Sequence, residues 1–231
     1  MEHTNFEIVR AQAEDAAALL DYLKIVGGET DNLSFGAEGV PLDVEAEKAY
    51  LGVQAQSQDN IQLLAKANGE IIGTASLNRK QRRMGHRAEF GISLKKAWWG
   101  CGAAFALMER ILAFARENGV EQVNLEVRSD NKRAIALYER FGFRKLCTFP
   151  GFFKINGELI DFDFMNLSIC PAKTKYTKCG VRRDIYEQTD WLLRAGLRKV
   201  RRQNSNDSKR QCLARKNRRP VDKAERRNDN A

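Results

Sequence analysis

One block constrains this chain more than any other: Trp98 to Gly142, WWGCGAAFALMERILAFARENGVEQVNLEVRSDNKRAIALYERFG. In Trp99-Gly100-Cys101-Gly102-Ala103-Ala104, two residues without side chains let the backbone approach a ligand closely, immediately before an apolar helix whose N-terminus favours an anion. The helix follows from Ala104, Leu107, Met108, Ile111, Leu112 and Ala115 at three-and-four spacing, with Gly119 where a left-handed C-terminal cap belongs. Val123 to Val127 alternates as a strand. Ser129-Asp130-Asn131 then starts a second helix that runs to about Arg140 and ends at Gly142. At 100° per residue Asn131, Ala134, Ile135 and Tyr138 share one stripe, so an amide and a phenol are expected to face one cleft, with Leu137 and Phe141 turned to a core. This order of parts suits a pocket for a phosphate-bearing acyl carrier.

The block resembles the acyl-CoA-binding half of the GNAT N-acetyltransferase superfamily. Of the family's Asn-x-x-Ala-x-x-Leu-Tyr-x-x-x-Gly-Phe pattern, Asn131, Ala134, Leu137, Tyr138, Gly142 and Phe143 are all present. The other signature, Gln/Arg-x-x-Gly-x-Gly/Ala, is partial: Gly100 and Gly102 are in place, but Ala97 stands where Gln or Arg is usual. A polar contact is lost there while the backbone donors remain. Upstream, Phe6 to Arg10 looks like the family's opening strand, Ala13 to Leu20 like its first helix, and Gln62 to Ala65 with Glu70 to Ala75 like its central hairpin. Asn68-Gly69 is a strong two-residue turn between those runs. Leu159 to Met165 looks like the last strand.

The resemblance therefore spans residues 5–168 and implies a mixed α/β fold, a largely antiparallel sheet splayed in the middle and flanked by helices. A domain of that size buries a full core. The formal charge of +9 is unevenly shared. Residues 1–170 hold 20 Lys plus Arg against 23 Asp plus Glu, whereas 171–231 hold 19 against 7. The second stretch is expected to be a basic, low-complexity, disordered tail. Within it Trp191, Leu192, Leu193, Leu197 and Val200 among Arg194, Arg198 and Lys199 would make a basic amphipathic helix. Contact with nucleic acid or an anionic surface is the sharper reading of the tail, a solvated extension the plainer and favoured one.

Five cysteines, at 101, 147, 170, 179 and 212, form neither a metal spacing nor an even framework, which suits a reducing compartment and no metal. The N-terminus lacks a basic start followed by an apolar run, and no stretch approaches 18 apolar residues. A soluble cytoplasmic protein with no membrane partner is expected.

What the resemblance implies about chemistry is specific. Acetyl transfer from acetyl-CoA to an amine needs proton removal from an ammonium, a partner for the developing oxyanion and protonation of the leaving thiolate. Tyr138 matches the family's usual general acid. The oxyanion is expected to meet a main-chain donor of the strand Ala88 to Leu94, with Leu94 contributing through its backbone. Glu89 leads as general base, acting through a water; the plainer reading pairs it with Arg87 or Arg128. Glu29 and Asp31, read as loop residues after the first helix, rival it or bind a cationic substrate. His86 reads as an ordinary hydrogen-bonding turn residue.

The loop Gly100, Cys101, Gly102, Ala103 and Ala104 is expected to hold phosphates, with Asn131 nearby and with Arg133, Lys132, Lys95 or Lys96 as cations. Cys101 is read as a permissive small residue. Trp98 and Trp99 either pack on the helix or stack on ligand. The basic run Arg79, Lys80, Arg82, Arg83, Arg87 reads first as a solvated loop and second as a rim for CoA phosphates or an acidic acceptor. The acceptor is expected to be a small-molecule amine or a protein N-terminal amine, with a slight lean to a polyamine from the acidic body. A second class is open, a non-catalytic acyl-CoA-binding or nucleic-acid-tethered module acting through the tail.

Overall fold

Asn68 and Gly69 both take positive φ, 50° and 82°, the requirement of a tight primed turn, and they fold the chain back on itself in mid-domain. The strands they join are β2 (Asn60–Ala67) and β3 (Glu70–Arg79). The structure is a computed structural model, and it describes residues 5–169. The basic tail expected over 171–231 lies outside the described residues.

The other strands are β1 (Glu7–Arg10), β4 (Arg87–Leu94), β5 (Gln122–Arg128), β6 (Arg144–Ile155) and β7 (Glu158–Ser168). They form one sheet in the order β1-β2-β3-β4-β5-β7-β6. Every pairing is antiparallel except β4 with β5, which is parallel. The helices are α1 (Ala16–Glu29), α2 (Val44–Gln56), α3 (Ala103–Glu117) and α4 (Lys132–Arg140).

Side-chain alternation divides the sheet into two faces. Leu63, Leu77, Phe90, Val123 and Leu125 pack with Leu107, Met108, Ile111 and Leu112 of α3. Each of those four α3 side chains is fully buried, an arrangement that favours folding by roughly 1.5–3 kcal/mol apiece. The opposite face carries Leu64 and Ile71, covered by Leu19, Tyr22 and Val26 of α1 and Leu51 of α2.

Two sequence expectations need correction here. The first helix does not stop near Leu20, and Glu29 is its final residue rather than a loop residue. The segment after it, expected as loop, contains α2, whose start is capped by Asp43 accepting from the Ala46 N–H at 2.7 Å. Among the described residues no helix is long and apolar enough to cross a membrane.

Candidate active site

The sheet comes apart where the two parallel strands meet. Pairing between β4 and β5 covers Arg87↔Gln122, Ala88↔Val123 and Glu89↔Asn124 and then stops. Beyond it β4 stays on β3 as far as Gly73↔Leu94, while β5 stays on β7 as far as Arg128↔Phe162. The facing edges from Phe90 and from Leu125 onward therefore diverge into a V.

Main-chain direction in the V follows from one bond. The Lys95 N–H donates to the Ile72 carbonyl at 2.9 Å, so Lys95 points at β3. Alternation then turns the N–H and C=O groups of Phe90, Ile92 and Leu94 toward the V. The Leu94 carbonyl is already engaged, accepting from Trp99 Nε1 at 3.0 Å. Its N–H, like that of Ile92, faces the V.

At the end of β4 the chain makes a short 3-10 turn and enters the glycine loop. Gly100 and Gly102 sit at φ 86° and 94°, a region that disfavours any residue with a Cβ. No side chain caps α3, whereas Asp43 and Asn131 cap α2 and α4. The first N–H groups of α3 are thus left for an outside acceptor, and Ala103 and Ala104 put no bulk over them. Arg133 completes the arrangement: a Cβ built on Gly100 would lie 2.9 Å from its Nη2, and its guanidinium stands 5.4 Å from the Trp99 ring centroid. Trp98 packs on the core and Trp99 is more than a third exposed. Cys101 is half-buried against the same core. The residues fit a phosphate-bearing carrier: uncapped donors, a glycine pair and one cation at a single point. Of the other expected cations, Lys132 donates to the Ser129 carbonyl at 3.0 Å and Lys95 lies near Glu70 at 3.7 Å, while Lys96 is exposed.

Asn131 and Tyr138 do not simply face one cleft as their spacing suggested. The Asn131 carbonyl oxygen accepts from the Ala134 N–H at 3.1 Å and caps α4, so its amide NH2 is the part left for a ligand. Tyr138 is the buried residue of α4 and packs edge-on against Phe90, centroids 6.2 Å apart, and beside Phe143 at 6.0 Å. Burial pushes its phenol well above the ordinary tyrosine range, so it holds its proton at any physiological pH. Phe141 meets Phe105 at 4.7 Å, in line with its expected turn to the core.

The carboxylates lie on the other face of the sheet. Glu89 is half-exposed and ion-paired with Lys80, not with Arg87 or Arg128. Arg87 instead binds the Asn124 side chain and Arg128 binds Asp130. Beside Glu89, just past the point where the strands part, is Glu126. Its carboxyl is raised above the ordinary range, first by desolvation and then by the Glu89 charge, with Lys80 pulling the other way. Sequence reasoning missed Glu126. The alternation of Val123, Leu125 and Val127 already placed it opposite the core, but only the parallel pairing of β5 with β4 brings it to Glu89.

Glu29 accepts from the Lys96 N–H at 2.6 Å and ties the end of α1 to the end of β4. Asp31 presents its main-chain oxygen to Arg128 Nη1 at 3.4 Å, so both acidic residues border the V between β4 and β5. Tyr22 of α1 also reaches this strand, its hydroxyl 2.9 Å from Ser93 Oγ. The turn before α4 is fixed from behind by buried Asp163, which accepts from Ser129 Oγ at 2.6 Å, Thr148 Oγ1 at 2.9 Å and Lys145 Nζ at 2.8 Å.

Comparison with known proteins meets the same region. The acetyltransferase (GNAT) family model matches residues 33–143. An acetyltransferase of the GNAT family from Streptococcus pneumoniae superposes with a TM-score of 0.69 at 31% identity, covering 71% of this chain and all of that one. The chain belongs to the GNAT family. Among curated relatives of this GNAT chain, an L-amino acid N-acetyltransferase of Escherichia coli is 34% identical over 107 residues, 45% of this chain and 65% of that enzyme. An N-alpha-acetyltransferase of Mycobacterium tuberculosis is 34% identical over 94 residues, 40% and 58% respectively. The shared segment falls short of two thirds of either relative.

Proposed function

We propose that this GNAT chain transfers an acetyl group from acetyl-CoA to the α-amino group of a free amino acid or of a protein N-terminus, by direct attack in a ternary complex. The observation that carries the proposal is the parting of β4 from β5 after Glu89↔Asn124, with carboxylates at one face of the gap and a buried phenol at the other. Acetyl-CoA supplies the activated acyl group. The uncapped start of α3, Gly100, Gly102 and Arg133 hold its phosphates, and the Asn131 amide lies on the same side.

Glu126 takes a proton from the acceptor ammonium, with Glu89 beside it keeping its proton affinity high. The N–H groups of Ile92 and Leu94 meet the charge that grows on the carbonyl oxygen as the N–C bond forms. Tyr138 returns a proton to the sulfur as the C–S bond breaks. A protein N-terminal α-amine is preferred to a polyamine because its pKa of about 8 asks far less of a carboxylate base than an alkylamine near about 10. Both curated relatives are named for amino-acid or N-terminal substrates, which supports the same choice. Glu29 and Asp31 border the acceptor side and would attract the ammonium.

The test is thiol release from acetyl-CoA against a panel of amino acids, short peptides with free N-termini and a polyamine. Turnover confined to the polyamine would reverse the acceptor assignment. Tight acetyl-CoA binding without release on any amine would leave a non-catalytic acyl-CoA-binding protein.

A further inference from the structure

The loop between β3 and β4 holds a polar cavity of about 330 Å³, walled by Asp59, Arg79, Lys80, Arg82, Arg83 and His86. It sits at the closed end of the V. From Arg87, where β4 begins, to Leu94, beside the glycine loop, the strand runs roughly 23 Å at its usual rise. The sequence reading of this basic run as a rim for CoA phosphates is thereby set aside, because those phosphates belong at the other end of β4.

The cations of the cavity are of two kinds. Arg79 and Lys80 are committed: Arg79 Nη1 reaches Asp59 at 3.1 Å and the Asn118 carbonyl at 3.0 Å, and Lys80 pairs with Glu89. Arg82 and Arg83 are exposed and their side chains have no hydrogen-bond or ion-pair partner among the described residues, so two guanidiniums of consecutive residues stand uncompensated at the cavity. Nor is their backbone that of a slack loop. Arg82 has φ 57°, a conformation uncommon for any residue but glycine, asparagine or aspartate. The turn is closed by the Met84 N–H on the Gln81 carbonyl at 3.2 Å and the Gly85 N–H on the Arg82 carbonyl at 3.0 Å. Arg79 Nε then ties Gly85 to the end of β3. Strain retained in a well-tied loop points to a use for what the loop presents.

The lining also says which anion. Paired guanidiniums suit the oxygens of a phosphoryl group, which they bind as a fork. The only ring in the lining is the His86 imidazole, with no Phe, Tyr or Trp beside it, so a nucleobase has little to stack on and a single-stranded nucleic acid is a poor match. We infer that the β3–β4 loop is an anion site separate from the acyl-carrier pocket, in which Arg82 and Arg83 bind a compact phosphorylated ligand carrying at least two negative charges.

The test is calorimetric titration of inorganic pyrophosphate into the full-length chain presaturated with CoA, at constant ionic strength. Saturable binding is expected, and the double variant Arg82→Gly/Arg83→Ala should weaken it at least about tenfold while leaving CoA affinity unchanged. Glycine at 82 preserves the left-handed turn, so the loop keeps its shape as the charge goes. Arg82→Lys/Arg83→Lys should recover only part of the binding, because the point charge returns without the fork. No binding to the wild-type chain overturns the inference. So does binding equal in the double variant, which assigns it to the basic tail or the glycine loop. CoA affinity, read in the same samples, reports the acyl-carrier pocket independently.

Discussion

Arg133 lies against Gly100: a Cβ placed on Gly100 would stand 2.9 Å from Arg133 Nη2, while Gly100 itself has φ 86°. The close approach joins the first turn of α4 to the entrance of α3 and places a cation beside uncapped helix donors. Gly100→Ala meets both the strained φ, worth about 1–2 kcal/mol, and the guanidinium. It should raise the dissociation constant for acetyl-CoA about tenfold, an order set by that strain. Arg133→Ala should weaken binding with thermal stability unchanged. Calorimetry on both variants is the check, and acetyl-CoA affinity unaltered in Arg133→Ala would remove this residue from the phosphate site.

Tyr138 is held by ring packing on Phe90 and Phe143, which phenylalanine retains. Tyr138→Phe should therefore fold normally and bind acetyl-CoA as before, yet lose about a hundredfold or more in kcat, the range for a positioned acid. A kcat within a factor of about two would exclude the phenol as proton donor.

The parts of this fold that were legible in the sequence are those set by neighbours along the chain. Asn68-Gly69, Gly119 and Gly142 each occupy the left-handed backbone their positions called for. The spacing of Leu107, Met108, Ile111 and Leu112 likewise gave the buried face of α3. Gly27 shows where local reasoning fails. It lies inside α1, where a Cβ would fall 2.0 Å from the Gly36 carbonyl oxygen. Close backbone approach, not flexibility, selects that glycine, and nothing local announces it. The candidate site divides in the same way. The glycine loop and Tyr138 belong to one continuous block, whereas the Glu89–Glu126 neighbourhood depends on a parallel pairing between strands separated by α3.

That pair has a consequence for pH. Because folding raises the Glu126 carboxyl above its ordinary value, the folded chain binds this proton more tightly than the unfolded chain does. The stability it contributes is fully present below the ordinary carboxylate range and is lost as pH rises through the raised value. Glu126→Gln should thus be slightly more stable than wild type at neutral pH, with the difference closing toward pH 4 and below, as denaturation at several pH values would record. Its kcat/KM should fall about a hundredfold, more than that of Glu89→Gln, and the acidic limb of the rate profile should go with it. Equal losses in the two variants would leave the base unassigned between them.

Asp163 gives the opposite sign. Burial is the largest influence on its carboxyl and acts to raise it. The hydrogen bonds from Lys145, Ser129 and Thr148 together outweigh that, and the net effect is a depressed value. Its stabilisation is present above the ordinary aspartate range and lost as pH falls through the depressed one. Asp163→Asn keeps the volume but weakens three charge-assisted bonds, so at pH 7 it should cost about 1–3 kcal/mol in urea denaturation. The gap from wild type should narrow as the pH is lowered below about 4, where the carboxylate of the unfolded chain begins to protonate while the native one still holds its charge. Because Ser129 leads directly to Asn131, the variant should also raise KM for acetyl-CoA more than it lowers kcat. A stability loss that is constant with pH would show that Asp163 acts by packing alone, and an unchanged KM would separate the Ser129 turn from the acyl-carrier pocket.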